Sequence, residues 1–197
     1  MSADRLRRQL DFLVEIDRLK DIERQTRIAA GRRENTAEHS WHLAMYALVL
    51  AEHSNEDVDL FHVLALCLIH DIVEIDAGDT FAYDVTANGD KEERERRAAE
   101  RLFGLLPSDQ ADYLWRLWEE YEDMETPESR FANAVDRMQP AVLNHVAGEA
   151  STWKEHGVTL PQAVKRLSPI GDGSQALWTH TQSIIDEARQ RGHIRDE

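Results

Sequence analysis

Four side chains of metal-ligating type lie in three widely separated stretches of the chain: His39, the adjacent pair His70-Asp71, and Asp136. Two imidazoles and two carboxylates form a mixed nitrogen and oxygen donor set. Such a set suits first-row divalent ions better than Ca, which prefers oxygen alone. The donors by themselves do not choose among Co, Mn, Zn, Fe and Mg. Four protein ligands leave one or two positions open on a five- or six-coordinate ion, room for a water and a phosphate oxygen. The pair is the most telling part, because it closes the apolar run Val63-Leu64-Ala65-Leu66-Cys67-Leu68-Ile69. A run that is apolar all round reads as a buried helix. A carboxylate at its end needs a partner, since burying it unpaired is costly.

Two further carboxylates belong to the same neighbourhood. Glu74 follows His70 by four residues and Asp71 by three, so on a helix it shares their face one turn on. Asp79 comes just after Gly78, in the turn leaving that helix. Together they can serve as base for a water and acid for a leaving oxygen, provided their environments separate their pKa values. Arg24, Arg27, Arg32 and Arg33 crowd the segment before His39. A solvated connector is the favoured reading of each arginine alone, but a guanidinium there would suit a phosphate monoester. His42, one turn after His39, reads more readily as a packing histidine than as an outer contact of the site. Pro140 removes the amide that would bond the Asp136 carbonyl, so a kink is expected there. The charged run Lys91 to Arg97 reads as a solvated helix face.

The elements that must bring these residues together read as helices. Apolar residues recur at helical spacing almost throughout and no stretch alternates cleanly, so the class is all-α, a bundle of about six to eight helices. A first helix runs from Asp4 to Lys20, with Leu6, Leu10, Leu13 and Val14 in heptad-like order and Phe12 and Ile16 widening the stripe. Asn35-Thr36-Ala37-Glu38 resembles a capping box opening a second helix to about His53. Asp57 to Ile75 reads as the third, ended by Gly78. Lys91 to Leu106, Ser108 to Tyr121, a helix opened by Thr126-Pro127 that carries Asp136, and Ser174 to Gln190 complete the set. The pattern weakens between Gly148 and Gly157.

With 197 residues and no repeat or linker, the chain is expected to be one domain spanning 1–197. Hydrophobic residues make up 42% and charged residues 31%, with nine Gly and five Pro, an ordinary globular composition. The lone Cys67 lies in the apolar run and reads as core packing. No apolar stretch resembles a signal peptide or a membrane span, so no membrane partner is expected and the cytoplasm is the expected location. The 38 acidic residues against 23 basic give a net charge of −15, which argues against polymeric nucleic acid as partner. A small phosphorylated molecule remains compatible, because a metal and a few arginines can overturn the global field at one pocket.

The ordered set of His39, His70-Asp71 and Asp136, with Glu34-Asn35-Thr36-Ala37-Glu38-His39 upstream and Glu74 and Asp79 downstream, resembles the HD-domain metal-dependent phosphohydrolases. Within that superfamily it is most similar to the bacterial 5′-deoxynucleotidases and their eukaryotic relatives, over about Leu10 to Asn144. The resemblance implies an HD-type helical bundle, one divalent metal held by His39, His70, Asp71 and Asp136, and commonly a homodimer. It also implies that Glu74 and Asp79 are the catalytic carboxylates and that Arg24 contacts the phosphate. The expected activity is release of phosphate from a small phosphomonoester, a deoxyribonucleoside 5′-monophosphate first among them. Gln25 stands where those nucleotidases carry Trp, and Thr80-Phe81-Ala82-Tyr83 where they carry a Pro-containing turn, which leaves base and sugar preference open. Dinuclear relatives need extra histidines before the last Asp, and Ile72 to Val135 contains none. The alternatives are a hydrolase of another phosphorylated metabolite and a non-enzymatic module in which the ion staples helices or the pocket senses a nucleotide. Two spare carboxylates beside an open metal favour an enzyme over either module.

Overall fold

Residues 3–83 and 89–197 are described by a computed structural model. Helix α1 (Ala3–Glu15) runs on into a 3-10 turn over Ile16–Asp21, and a short antiparallel hairpin follows, β1 (Glu23–Arg27) with β2 (Arg33–Asn35). Next come α2 (Thr36–Leu50), α3 (Leu60–Ile69), a 3-10 turn over His70–Val73 and the short α4 (Glu74–Ala77). The second half is α5 (Lys91–Phe103), α6 (Ser108–Asp123), α7 (Pro127–Ala147), α8 (Thr152–Glu155), α9 (Leu160–Leu167), α10 (Ile170–Gly173) and α11 (Gln175–Gln190). The fold is thus mostly α, as expected. No helix among the described residues is long and apolar enough to cross a membrane.

The cap signals work as read. The Asn35 side chain accepts the Glu38 amide at 2.9 Å and Glu38 accepts the Asn35 amide at 3.2 Å, which starts α2 one turn before His39. Thr126 and Ser129 form the corresponding box at the head of α7, with Pro127 in its first turn. From there α7 threads the middle of the molecule, packing on α2, α3, α6, α9, α10 and α11.

Two apolar clusters flank the predicted ligand pair. Leu43, Val63, Leu66, Cys67, Phe131 and Val135 join α2, α3 and α7 in one. Phe12, Leu19, Ile72, Val73, Leu102 and Trp118 form the other. His70 and Asp71 therefore sit between anchors on both sides, Leu66 and Cys67 before them and Ile72 and Val73 after. Each fully buried large side chain contributes about 1.5–3 kcal/mol, so apolar burial holds this polar pair in place.

Several expectations need correction. The basic connector is a hairpin, hidden because every residue of β1 is polar and no hydropathy alternation betrays it. The third helix is broken at Ile69 by the 3-10 turn, in which residues three apart eclipse. Helices α9 and α10 occupy a stretch left unassigned. The heptad-like residues of α1 also face the other way: Phe12 is buried, while Leu6, Leu10, Leu13 and Val14 are exposed. Nor is the apolar run of α3 covered all round, since Phe61 is 85% exposed and Leu68 is 50% exposed.

α10 comes close to α7 because Gly173 carries no side chain; a Cβ there would strike the carbonyl of Arg130. Gly173→Ala is therefore expected to destabilise the fold by about 1–3 kcal/mol, measured as a lower urea midpoint with unchanged slope.

Candidate metal centre

Each predicted ligand is carried by an anchored element. His39 lies one turn inside α2, His70 and Asp71 open the 3-10 turn after α3, and Asp136 lies mid-way along α7. The structure gathers donor atoms of His39, His70 and Asp136 within 4.8 Å of one another, and Asp71 lies at the edge of that group. His39 Nε2 is 3.0 Å from Asp136 Oδ1 and 3.7 Å from Asp71 Oδ2. His70 Nε2 is 3.2 Å from Asp71 Oδ2 and 3.8 Å from Asp136 Oδ1. Donors at about 2.0–2.2 Å from a shared ion lie roughly 3–3.6 Å apart, so these separations suit one centre. His39, His70 and Asp136 are all buried.

The protonation pattern also fits a cation. His70 Nδ1 lies 2.9 Å from the Cys67 carbonyl, which can only accept, so that nitrogen carries the proton. Its Nε2 lone pair is then buried with no hydrogen-bond partner among the described residues, and it faces two carboxylate oxygens. A lone pair against two anions is repulsive; a divalent ion between them makes every contact attractive. The His70 ring is steadied by Tyr121, with centroids 4.5 Å apart.

Arg24, on the same face of β1 as the buried Thr26, reaches this cluster, unlike the other three connector arginines. Its Nη1 donates to Asp71 Oδ2 at 2.7 Å and lies 3.6 Å from Glu74 and 3.8 Å from Asp79. Arg27 and Arg33 turn to Glu155 and Arg32 to Glu38. Glu74 accepts from Thr36 Oγ1 at 2.8 Å. Gly78, at φ +76° and ψ 151°, reverses the chain so that Asp79 returns to the cluster. That conformation is essentially confined to glycine.

Electrostatics separates the carboxylates into two kinds. Burial pushes Asp71 upward, but with protons in place of an ion the charge of a protonated His70 and that of Arg24 hold it below the usual carboxylate range. Burial likewise opposes ionisation of Asp136, and the hydrogen bond and charge of His39 hold it well below. For Glu74, burial and the neighbouring Asp71 charge drive the carboxyl well above its ordinary value. Asp79 is raised by burial and Asp71, with Arg24 opposing. The cluster thus contains two firmly ionised ligands beside two carboxyls disposed to hold protons.

Some residues of the site went unread in the sequence. Glu34, on β2, is 1% exposed, and Gln139, on α7, is fully buried; both stand behind His39. The signal for Gln139 was present: Asn133, Asp136 and Gln139 form a polar row at spacing three along an otherwise apolar helix. His42, read as a packing residue, lies 3.1 Å from the Gln139 amide. Arg166 of α9 comes within 3.9 Å of Asp136. The charged run of α5 is not wholly solvated, because Glu95 is buried and pairs with Lys91 at 3.3 Å, and both line the same cavity. Arg94 donates to the Ala77 carbonyl and to Thr80 Oγ1, tying α5 to the turn that carries Asp79.

The chain matches the family model of the HD domain over residues 16–178. Among curated proteins it is 32% identical to the 5′-deoxynucleotidase HDDC2 of Bos taurus over 187 residues, covering 93% of this chain and 84% of that one. The same-named protein of Homo sapiens is 30% identical over 186 residues, with the same coverage of 93% and 84%. A crystal structure from Magnetospirillum magnetotacticum MS-1, described as a predicted metal-dependent phosphohydrolase, superposes with a TM-score of 0.92 at 52% identity, covering 98% of this chain and 96% of the other. A conserved hypothetical protein from Pyrococcus furiosus shares the fold, with a TM-score of 0.61 at 22% identity over 92% of this chain and 99% of that one.

Metal uptake is expected to release protons. Burial and Arg24 disfavour the imidazolium of His39, but Asp136 and Glu34 outweigh them and raise its pKa to about 9. An ion must displace that proton, so the apparent Zn affinity should rise about tenfold per pH unit below about pH 9 and then level. Calorimetric titration in buffers of different ionisation enthalpy measures both quantities. An affinity independent of pH would exclude His39 as a ligand.

Proposed function

This chain belongs to the HD-domain phosphohydrolase superfamily, and on that premise we propose that it is a metal-dependent hydrolase releasing phosphate from a deoxyribonucleoside 5′-monophosphate. The observation that carries the reading is the buried His70 Nε2 lone pair facing two carboxylates, with Arg24, Glu74 and Asp79 alongside. The nucleotide substrate is supported by the relatives named 5′-deoxynucleotidase. The chain is taken to work as one domain, in the cytoplasm.

His39, His70, Asp71 and Asp136 would hold the ion. A divalent ion bound there supplies a Lewis acid for a phosphate oxygen and lowers the pKa of a water. Arg24 neutralises the phosphate, exchanging its long contacts to Glu74 and Asp79 for a charge-assisted pair. Losing that contact raises both carboxyls further. Glu74, the more buried and more strongly raised of the two, is assigned as the acid and gives a proton to the leaving ester oxygen. Asp79, the more exposed, accepts the proton from the attacking water. Water and phosphomonoester become alcohol and inorganic phosphate, with the two carboxylates exchanging one proton per turnover. A phosphate-sensing module is the weaker reading, because sensing needs neither of these carboxylates.

The assembly we infer is a homodimer. Trp41, Met45, Leu48 and Val49 form an exposed stripe on α2, and Phe61 and Leu68 are exposed on α3, which packs beside it. These exposed residues on two adjacent helices are more apolar surface than an isolated chain usually leaves to water. A second copy covers it by presenting the same face, as a two-fold contact requires. Trp41→Glu with Phe61→Glu is expected to convert a dimer to monomers in sedimentation; a monomeric parent protein would end this reading.

Phosphate release from a panel of deoxyribo- and ribonucleoside 5′-monophosphates, run with Co, Mn, Zn and Mg, tests the activity. Glu74→Gln is expected to lower kcat by about 10²–10⁴-fold, and Arg24→Ala chiefly to raise KM. A protein that binds metal yet releases phosphate from none of the panel would overturn the nucleotidase reading. Unchanged turnover in Glu74→Gln would remove its acid role.

A further inference from the structure

Behind His39, on the side away from the metal donors, lies a polar chain that hydrolysis does not use. His39 Nδ1 is 3.2 Å from Gln139 Oε1. The Gln139 amide nitrogen donates to Glu34 Oε1 at 2.8 Å and lies 3.1 Å from His42 Nδ1. Three elements meet here: β2 brings Glu34, α7 brings Gln139, and α2 brings both histidines. His39, Gln139 and Glu34 are at most 1% exposed.

The order of donors and acceptors follows from the one group that cannot be reversed. An ionised carboxylate only accepts, so Glu34 takes the NH₂ end of Gln139. A flipped amide would set its carbonyl oxygen against the carboxylate and leave both unsatisfied in a buried place. The Gln139 oxygen is thereby turned towards His39, where it needs a donor. His39 must then carry its proton on Nδ1 when neutral, which puts the lone pair on Nε2, the nitrogen facing Asp71 and Asp136. The Glu34 carboxylate lies 3.9 Å from Arg24 Nε, too far for a hydrogen bond, so pairing with that arginine does not account for it.

Glu34 Oε2 also lies 3.6 Å from His39 Nδ1. We propose that Glu34 and Gln139 are positioning residues that act together, Gln139 at 3.2 Å from His39 Nδ1 and Glu34 behind and beside it, to select the metal-binding tautomer of His39 and so set the affinity of the site for its ion. His70 obtains the same result from the Cys67 backbone carbonyl. One imidazole is thus oriented by main chain and the other by side chains. Only the second can be tuned by substitution. The proposal rests on reading His39 as a metal ligand.

The experiment is a Zn titration of the parent, Glu34→Gln, Gln139→Glu and the double variant Glu34→Gln/Gln139→Glu, with nitrogen NMR of the labelled imidazoles in the Zn-loaded parent. In Glu34→Gln nothing fixes the neighbouring amide, and Zn affinity is expected to fall about 10–100-fold, as for other partners of metal-bound histidine. The double variant puts a carboxylate directly against His39 Nδ1 with an amide behind it, and is expected to recover most of that loss. Residues that merely pack would shift the denaturation midpoint without such rescue. The parent spectrum is expected to show Nδ1 protonated and Nε2 bound to Zn, a result that does not depend on the variants folding. Zn uptake by the parent with unchanged affinity in Glu34→Gln, a double variant no better than the single, or Nδ1 bound to Zn would each overturn the proposal alone. A parent that takes up no Zn, Co or Mn removes the metal reading as well.

Discussion

Negative charge gathered in a small buried volume is the constraint on which this structure turns. Asp71, Asp136, Glu74, Asp79 and Glu34 all lie within 4 Å of Arg24 or His39. Two guanidinium groups, those of Arg24 and Arg166, cannot balance five carboxylates. In water such a group would separate; here it is compressed by helices whose apolar residues have nowhere else to go. Without a further cation the cluster keeps protons, which is why Glu74 and Asp79 titrate upward and the His39 imidazolium persists. A divalent ion relieves the same strain by displacing protons. The fold thus holds the donors in a state that favours metal uptake.

How the donors are held follows from the apolar parts. Asp136 and Gln139 lie on a helix whose neighbouring positions, Phe131, Ala132, Val135 and Met138, are core. His70 is pinned between Cys67 and Ile72. The 3-10 geometry from His70 to Val73 lets Asp71 and Glu74 project to the same side, since residues three apart eclipse. An α-helical continuation would keep them on one face too, but offset by about 60° instead of eclipsed. The 3-10 turn sharpens that alignment, and Gly78 one turn later turns the chain back towards it.

The legibility of the molecule from its sequence divides along physical lines. Helices with apolar periodicity and cap residues were readable, because local chemistry alone specifies them: Asn35 and Thr126 open α2 and α7 where expected. The grouping of His39, His70 and Asp136 was readable because His and Asp in apolar surroundings have few other uses. The hairpin was not, since Arg24, Thr26 and Glu34 owe their burial to the elements they pack against. Nor could periodicity tell an apolar face that meets the core from one left exposed. On α1 it pointed to the exposed stripe, because a hydrophobic pattern records burial without recording in which chain.

The site also divides between rigid and adaptable halves. The metal donors come from long helices and a turn locked into both apolar clusters. The opposite wall is built from the turn after α4, where Phe81 meets His156 at 4.4 Å between centroids and Tyr83 accepts a hydrogen bond from Trp153 at 3.1 Å. The ties of this wall include the bonds from Arg94 to Ala77 and Thr80. Changing an aromatic residue there alters what sits beside the phosphate without moving a metal donor. Gln25 and Thr80 to Tyr83, where the sequence departs from the nucleotidase pattern, line the same cavity as His70, Asp71 and Asp136.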